Sequence, residues 1–111
     1  MIEITVRDYL EQMLLVPVYM EFPENPPGRF VVLKKGDTRR ENWVETTMFI
    51  PESYEMSMLE AAKLNSLVKS AMDHLPELPE ISAARLAADY PAFDEKNKRY
   101  RYQAVYNVTH Y

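Results

Sequence analysis

Side chains able to support catalysis or to bind a metal are few and widely separated along the sequence. His74 and His110 are the only histidines, and neither has a second ligand at the spacing of a metal site. No serine lies in a GxSxG motif, and the absence of cysteine excludes a thiol nucleophile, a disulfide framework and a zinc ribbon. The two glycines, Gly28 and Gly36, are too far apart for a phosphate-binding loop. We therefore predict no catalytic set, no metal site and no cofactor.

Paired carboxylates and a tyrosine-rich C-terminal segment are the remaining candidates for chemistry. Pairs such as Glu52 and Glu55 resemble an acid and a base, but they lie near helix ends and proline turns, where solvated caps are the usual interpretation. Tyr100, Tyr102 and Tyr106, with nearby arginines, are residue types that stack single-stranded nucleic acid. The arginines alternate onto the opposite face of a strand from these rings, so packing or a protein interface is the favoured interpretation.

Charge and hydropathy exclude several classes of protein. The 111 residues include 13 basic and 17 acidic side chains, and the net charge of -4 disfavours non-specific nucleic-acid binding. No stretch approaches the roughly 18 apolar residues of a membrane span, and the N-terminal residues lack the basic and then apolar order of a signal peptide. A chain of this size buries about two thirds of its unfolded surface. We expect a single domain over residues 1–111, in the cytosol or in a virion.

Apolar spacing and capping residues divide the first half of the chain into a short helix and three strands. Thr5 is the expected N-cap of the helix, and Pro17 ends it. The expected elements are a helix from about Thr5 to Leu15, strands from Val16 to Phe22, from Phe30 to Lys35 and from Asn42 to about Ile50, and reversals from Pro23 to Gly28 and from Gly36 to Arg40. We expect the strands to form an antiparallel meander in which Gly28 supplies a positive φ.

The second half of the chain contains the clearest helix and a final hairpin. Ser57 and Glu60 form a capping box for a helix that runs to about Leu75. The segment from Ile81 to Tyr90 is ambiguous, because its alanines favour a helix whereas pairing with the alternating segment from Arg99 to Tyr111 requires a strand. The expected fold is α+β, with a short N-terminal helix and one long helix packed on an antiparallel sheet of about four to five strands, in the order α-β-β-β-α-β-β.

Four segments carry a resemblance to a known family. They are Val16 to Pro23 followed by Pro26 and Pro27, Phe30 to Gly36, Ser57 to Asn65, and Arg99 to Tyr106. These segments and the order of elements are similar to the tail-terminator and head-to-tail joining proteins of long-tailed bacteriophages. The chain also resembles small prophage-encoded minor structural proteins of Gram-positive hosts. The resemblance spans nearly the whole chain and includes no catalytic signature.

The resemblance implies a structural subunit of a ring, typically hexameric, that sits on the end of the tail tube of a virion after assembly in the host cytoplasm. Its implied partners are copies of itself, the tail tube protein and a head-completion or connector protein. DNA would pass through the lumen without specific binding, and no membrane would be involved. A head-completion role in the neck is the alternative, and a small nucleic-acid-binding protein is a further one. The candidate contact residues, in the loop from Asp37 to Trp43 and the hairpin from Ile81 to Tyr111, are Arg39, Arg40, Trp43, Tyr90, Phe93, Arg99, Arg101 and Tyr111.

Overall fold

The computed structural model describes residues 1–111 as two α-helices and five strands. In chain order the elements are α1 (Ile2–Leu14), β1 (Val18–Tyr19), β2 (Phe30–Glu41), β3 (Val44–Glu55), α2 (Met58–Asp73), a 3₁₀ turn (Leu75–Glu77), β4 (Ile81–Asp94) and β5 (Arg99–His110). The strands form one sheet in the order β1-β2-β3-β5-β4, and the four long strands pair with one another in antiparallel fashion. The predicted α+β fold and its order of elements are confirmed.

Both helices cover the same face of the sheet and enclose the main core. The buried apolar residues there are Val6, Leu10, Val18, Val31, Leu33, Phe49, Leu64, Val68, Ala71, Met72, Leu75, Ile81, Ala104, Tyr106 and Val108. Each large side chain removed from water in this way contributes about 1.5–3 kcal/mol. A smaller cluster of Phe30, Val32 and Tyr54 lies on the other face. Neither helix has the length and apolar character needed to cross a membrane.

The helix α2 begins as predicted and ends slightly earlier. Ser57 has an extended backbone, and its hydroxyl accepts a hydrogen bond of 3.2 Å from the N–H of Glu60. The helix ends at Asp73 rather than at Leu75, and Leu75 begins the 3₁₀ turn. Pro76 explains this end, because proline has no N–H and disfavours helical backbone at the residue before it.

The predicted start of α1 is wrong. Thr5 is not an N-cap; its hydroxyl donates to the carbonyl of Met1 within the first turn, over 3.1 Å, and the helix begins at Ile2. A threonine inside a helix bonds back to the carbonyl four residues earlier in this way, so its presence did not mark a helix start. The helix ends at Leu14, and its C-cap Leu15 has left-handed backbone with φ 57°.

The predicted antiparallel strand from Val16 to Phe22 is also wrong. Only β1 is extended there, and it pairs parallel with β2. The rings of Phe22 and Phe30 are 5.5 Å apart and those of Phe22 and Tyr54 are 5.3 Å apart, both edge to face. These contacts hold residues 20–29 across the face of the sheet, so the chain enters β2 in the same direction as β1. Gly28 has no positive φ.

The reversal predicted from Gly36 to Arg40 lies instead at Asn42 and Trp43. These two residues have φ of 52° and 68°, as in the two-residue type I′ turn that suits a twisted hairpin. Gly36 lies inside β2 beside a register shift, and it too lacks a positive φ. A Cβ atom at Gly36 would be 3.0 Å from the sulfur of Met48, so this glycine permits a close side-chain contact rather than a turn.

The segment from Ile81 to Tyr90 is a strand throughout, as the first part of β4. Pairs such as Ala84 with Val108 connect it to β5, and two register shifts bend it. The alanines do not form a helix because this long-range pairing outweighs a weak local preference. β5 lies between β3 and β4 and pairs with both.

Candidate functional site

The polar side chains best suited to chemistry have structural partners within the chain. No group of three or more His, Cys, Asp or Glu residues converges on a possible metal position. Nδ1 of His74 donates to the carbonyl of Ser70 over 2.8 Å. Nε2 of the buried His110 lies 2.8 Å from the hydroxyl of Thr47. The remaining candidates for a functional site are the surfaces that carry the predicted contact residues.

One group of these residues lies at the β2–β3 turn, which we call the Trp43 end of the sheet. Trp43 is 90% exposed, and Tyr111 is 73% exposed at the same end because the end of β5 pairs with the start of β3. The guanidinium of Arg40 donates to the carboxylate of Glu45 over 2.8 Å and lowers the pKa of that carboxyl. Arg39 is exposed on the adjacent position of β2. Large exposed aromatic groups beside arginine are typical of protein interfaces.

A second group lies toward the β4–β5 turn, which we call the Phe93 end. Phe93 and Tyr100 form an edge-to-face pair with centroids 5.1 Å apart, and they are 43% and 40% exposed. Tyr90 precedes Phe93 on β4, and its hydroxyl accepts a 2.7 Å hydrogen bond from Gln103. The structure thus divides the predicted contact residues between the two ends of the sheet instead of bringing them together.

Arg99 has a role inside the chain that its position in the sequence did not indicate. Its guanidinium donates to the carbonyl of Pro27 over 2.9 Å and to that of Pro26 over 3.2 Å. The same group lies 5.7 Å from the ring centroid of Phe30, within the range of a cation–π contact. Arg99 therefore holds residues 20–29 against the sheet.

Arg101 belongs to a charged network around Glu52, which is only 4% exposed. Nη1 of Arg101 and Nζ of Lys34 lie 3.6 and 3.7 Å from the Glu52 carboxylate. The Tyr54 hydroxyl is 3.4 Å from the same carboxylate, and burial raises the pKa of Tyr54 to about 12. A cavity of about 580 Å³ opens beside this network, between residues 20–22, β2 and the β4–β5 turn. The two cations compensate a carboxylate that is taken out of water inside the sheet.

Sequence reasoning placed Glu52 among solvated carboxylates and so missed its burial. A signal was available, because strand alternation puts Glu52 on the same face as Ile50 and Tyr54. That signal required β3 to extend beyond Ile50, and the strand does continue to Glu55.

The sheet has two open edges, where backbone groups have no neighbouring strand to hydrogen-bond. β4 is the last strand on one side, with a free outer edge along residues 82–94. On the other side β1 covers β2 only at Val31 and Val32. Unpaired N–H and C=O groups on such edges bind a further strand. The sequence prediction placed a chain reversal in the open part of β2 and so missed this edge. Asparagine favours left-handed turn positions, so Asn42 could have located the actual turn between β2 and β3.

Comparison with known proteins identifies a similar fold but no family. No protein-family model matches the sequence, and no curated protein sequence matches it. Among solved structures the chain is similar to a chain of the virion of the native gene transfer agent (GTA) particle, with a TM-score of 0.68 and 15% sequence identity. The match covers 95% of this chain and 90% of that chain. At this identity the likeness establishes a shared fold over nearly the full length of both chains.

Proposed function

We propose that this protein is a phage-type virion structural protein, and that it forms the tail-terminator ring that caps the tail tube and joins it to the head connector. The observation that carries this proposal is the fold likeness to a chain of a gene transfer agent virion, which extends over 95% of the present chain. The likeness also covers 90% of the virion chain, which favours a subunit of the same kind.

The distribution of surfaces supports a ring made of copies of this chain. Contacts between different patches on identical subunits close into a ring when the rotation between subunits closes. The two open edges of the sheet are such different patches, and they lie on opposite sides of the molecule. This arrangement is compatible with the hexameric ring that is typical of the tail-terminator family that the chain resembles.

The two ends of the sheet supply surfaces for two further partners. The Trp43 end and the Phe93 end lie at opposite ends of the long strands and both expose aromatic side chains. In the proposed ring, one end contacts the tail tube protein and the other contacts the head-completion or connector protein. The function needs no catalytic residue, cofactor or membrane, and the protein acts in the virion neck after assembly in the host cytoplasm.

The net charge of -4 suits a ring through which DNA passes without specific binding. Fluorescence anisotropy with a single-stranded oligonucleotide at about 0.15 M salt tests this part of the proposal. We expect no saturable binding at micromolar protein. Submicromolar binding would favour the nucleic-acid-binding alternative instead.

The central experiment is deletion of the gene from the phage or prophage that encodes it, with negative-stain imaging of the particles and complementation by the wild-type chain. We expect tails of uncontrolled length that are not joined to heads, and restoration by the wild-type gene. Tails of normal length beside unjoined, leaking heads would instead indicate the head-completion role. Unchanged particles that lack the protein would refute a structural role altogether.

Complementation with single substitutions locates the contacts. Trp43→Ala should restore the particles poorly, because it removes an exposed aromatic group at one end of the sheet. Leu67→Ala is the control, since Leu67 is also a large exposed apolar residue but lies in the middle of α2. Equal complementation by the two variants would remove Trp43 from the proposed contact surface.

A further inference from the structure

The two open edges expose backbone groups that have no partner within the chain. The backbone hydrogen bonds outside the helices and strands number nine, and none involves residues 33–41 of β2 or residues 82–94 of β4. β3 and β5 have a neighbouring strand on both sides, and β1 covers β2 only at Val31 and Val32. A long unpaired edge is a binding surface for another strand unless side chains protect it.

The open parts of the two edges lie at the same level of the sheet. One row of paired residues runs across the strands from Lys35 on β2 to Leu86 on β4, and another runs from Arg39 to Ala83. The segment of β2 that β1 leaves uncovered is therefore opposite the first half of β4. Two copies placed side by side would bring these segments together without sliding along the strands.

The direction of the strands suits the same arrangement. β2, β3, β5 and β4 alternate in direction, so β2 and β4 run in opposite directions. Rotation about an axis along the strands preserves their directions, so β2 of a second copy would meet β4 as an antiparallel neighbour. Antiparallel pairing is the slightly more stable of the two ladders.

The side chains of β4 leave this edge accessible. Proteins usually protect an edge with lysine, proline, inward-pointing charge or β-bulges, and of these β4 has two register shifts in its first half. β4 contains no lysine, its Pro91 lies beyond the first half, and Arg85 is the only charged residue from Ile81 to Ala88. The small alanine side chains there allow a second sheet to approach, which accounts for residues that are otherwise poor strand formers.

We propose that the outer edge of β4, from Ser82 to Asp89, hydrogen-bonds antiparallel to the outer edge of β2, from Leu33 to Glu41, in a second copy of this chain, and that repetition of this contact closes the ring. The inference rests on the proposed function, because the contact is proposed as the one that builds the ring. The sheets of successive subunits then form one continuous sheet around the ring.

Edge-blocking substitutions test the contact in the full chain. Ala83→Lys combined with Ala88→Lys places two charges on the edge of β4, and Leu59→Lys combined with Leu67→Lys places two on exposed positions of α2. Circular dichroism should show the same fold for both variants and the wild type. In size-exclusion chromatography with light scattering, we expect a ring-sized oligomer for the wild type and the control and a monomer for the β4 variant.

Cysteine cross-linking tests the register, because the native chain has no cysteine. Arg39→Cys and Ala83→Cys in one chain lie on opposite edges, about 14 Å apart at the usual strand spacing, so they cannot bond within a subunit. Across the proposed contact their Cα atoms would be about 5 Å apart, within disulfide range. We expect a ladder of covalent multimers on oxidation, and a similar ladder from Lys35→Cys with Leu86→Cys.

The outcomes separate this inference from the proposed function. Dimers from Ala83→Cys alone would indicate a two-fold β4–β4 contact and overturn the inference. A β4 variant that remains oligomeric, a failure of both cysteine pairs, or a monomeric wild type would overturn it as well. The proposed tail-terminator function is tested separately by the deletion, and it fails if the deletion leaves tails of normal length.

Discussion

Trp43 occupies the second position of the β2–β3 turn with φ of 68°, a left-handed conformation that few residues other than glycine adopt readily. Its side chain is 90% exposed, so it gains little from burial in the isolated chain. We predict that Trp43→Gly yields a more stable protein than Trp43→Ala, while both variants lose the contact proposed for the Trp43 end.

The magnitude follows from the turn. An L-residue in left-handed backbone costs about 1–2 kcal/mol, which alanine retains and glycine removes. The greater conformational freedom of glycine in the unfolded chain lowers the stability advantage of the glycine variant by about 0.4–1 kcal/mol. The covered tenth of Trp43 corresponds to about 25 Å², or about 0.6 kcal/mol, and both variants lose it equally. The glycine variant should therefore exceed the alanine variant by about 0.8 kcal/mol, or about 3 °C in Tm.

Urea unfolding followed by far-ultraviolet circular dichroism measures this difference, because both variants lack the single tryptophan. Equal stability, or an alanine variant more stable than the glycine variant, would refute the left-handed turn at Asn42 and Trp43. A wild type more stable than both variants by over about 2 kcal/mol would refute the exposure of Trp43, since a tenth of one side chain cannot supply that energy.

Three further substitutions test the contacts that hold the sheet and α2 together. Ser57→Ala should lower the free energy of unfolding by about 1 kcal/mol through loss of the N-cap, whereas Ser57→Asp should retain most of it; equal losses would exclude capping. Tyr106→Phe should cost about 1 kcal/mol, because its hydroxyl donates to Asp73 over 2.8 Å, whereas Tyr111→Phe at an exposed site should cost nothing measurable in the same urea assay. A hydrogen bond from Lys69 holds the pKa of Asp89 below its usual value. That stabilisation is present above the unfolded pKa of about 3.9 and is lost as pH falls through the folded pKa. The free energy of unfolding of the wild type should therefore exceed that of Asp89→Asn by less as the pH is lowered. A difference that does not change with pH would contradict the prediction.

Local patterns predicted the elements whose stabilising contacts lie close together in sequence. The cap between Ser57 and Glu60 joins residues three apart, and it marked the start of α2 correctly. Likewise the alternation of residue types from Arg99 onward predicted β5 correctly, because the pleat of a strand decides which face of the sheet each side chain points to. The contact residues proposed from the sequence remain predictions, although the structure exposes Trp43 and Tyr111 at one end of the sheet.

Features that depend on distant partners were less accessible from the sequence. The direction of β1 depends on Phe22 packing against Tyr54, which lies far along the chain. The inward role of Arg99 depends on the carbonyl of Pro27, and no local pattern connects those residues. The position of the β2–β3 turn was locally encoded by Asn42, but Gly36 offered a competing signal that proved to concern packing against Met48 instead.

The sequence by itself determined the fold class, the long capped helix and the final strand, because periodicity and capping act over a few residues. Only the tertiary structure decided that the alanine-rich segment from Ile81 to Tyr90 is a strand, since its weak local preference is outweighed by pairing with β5. The same pairing made β4 the last strand of the sheet and left its outer edge open. Which backbone groups stay unpaired is a property of the whole sheet, and no single segment of sequence contains it.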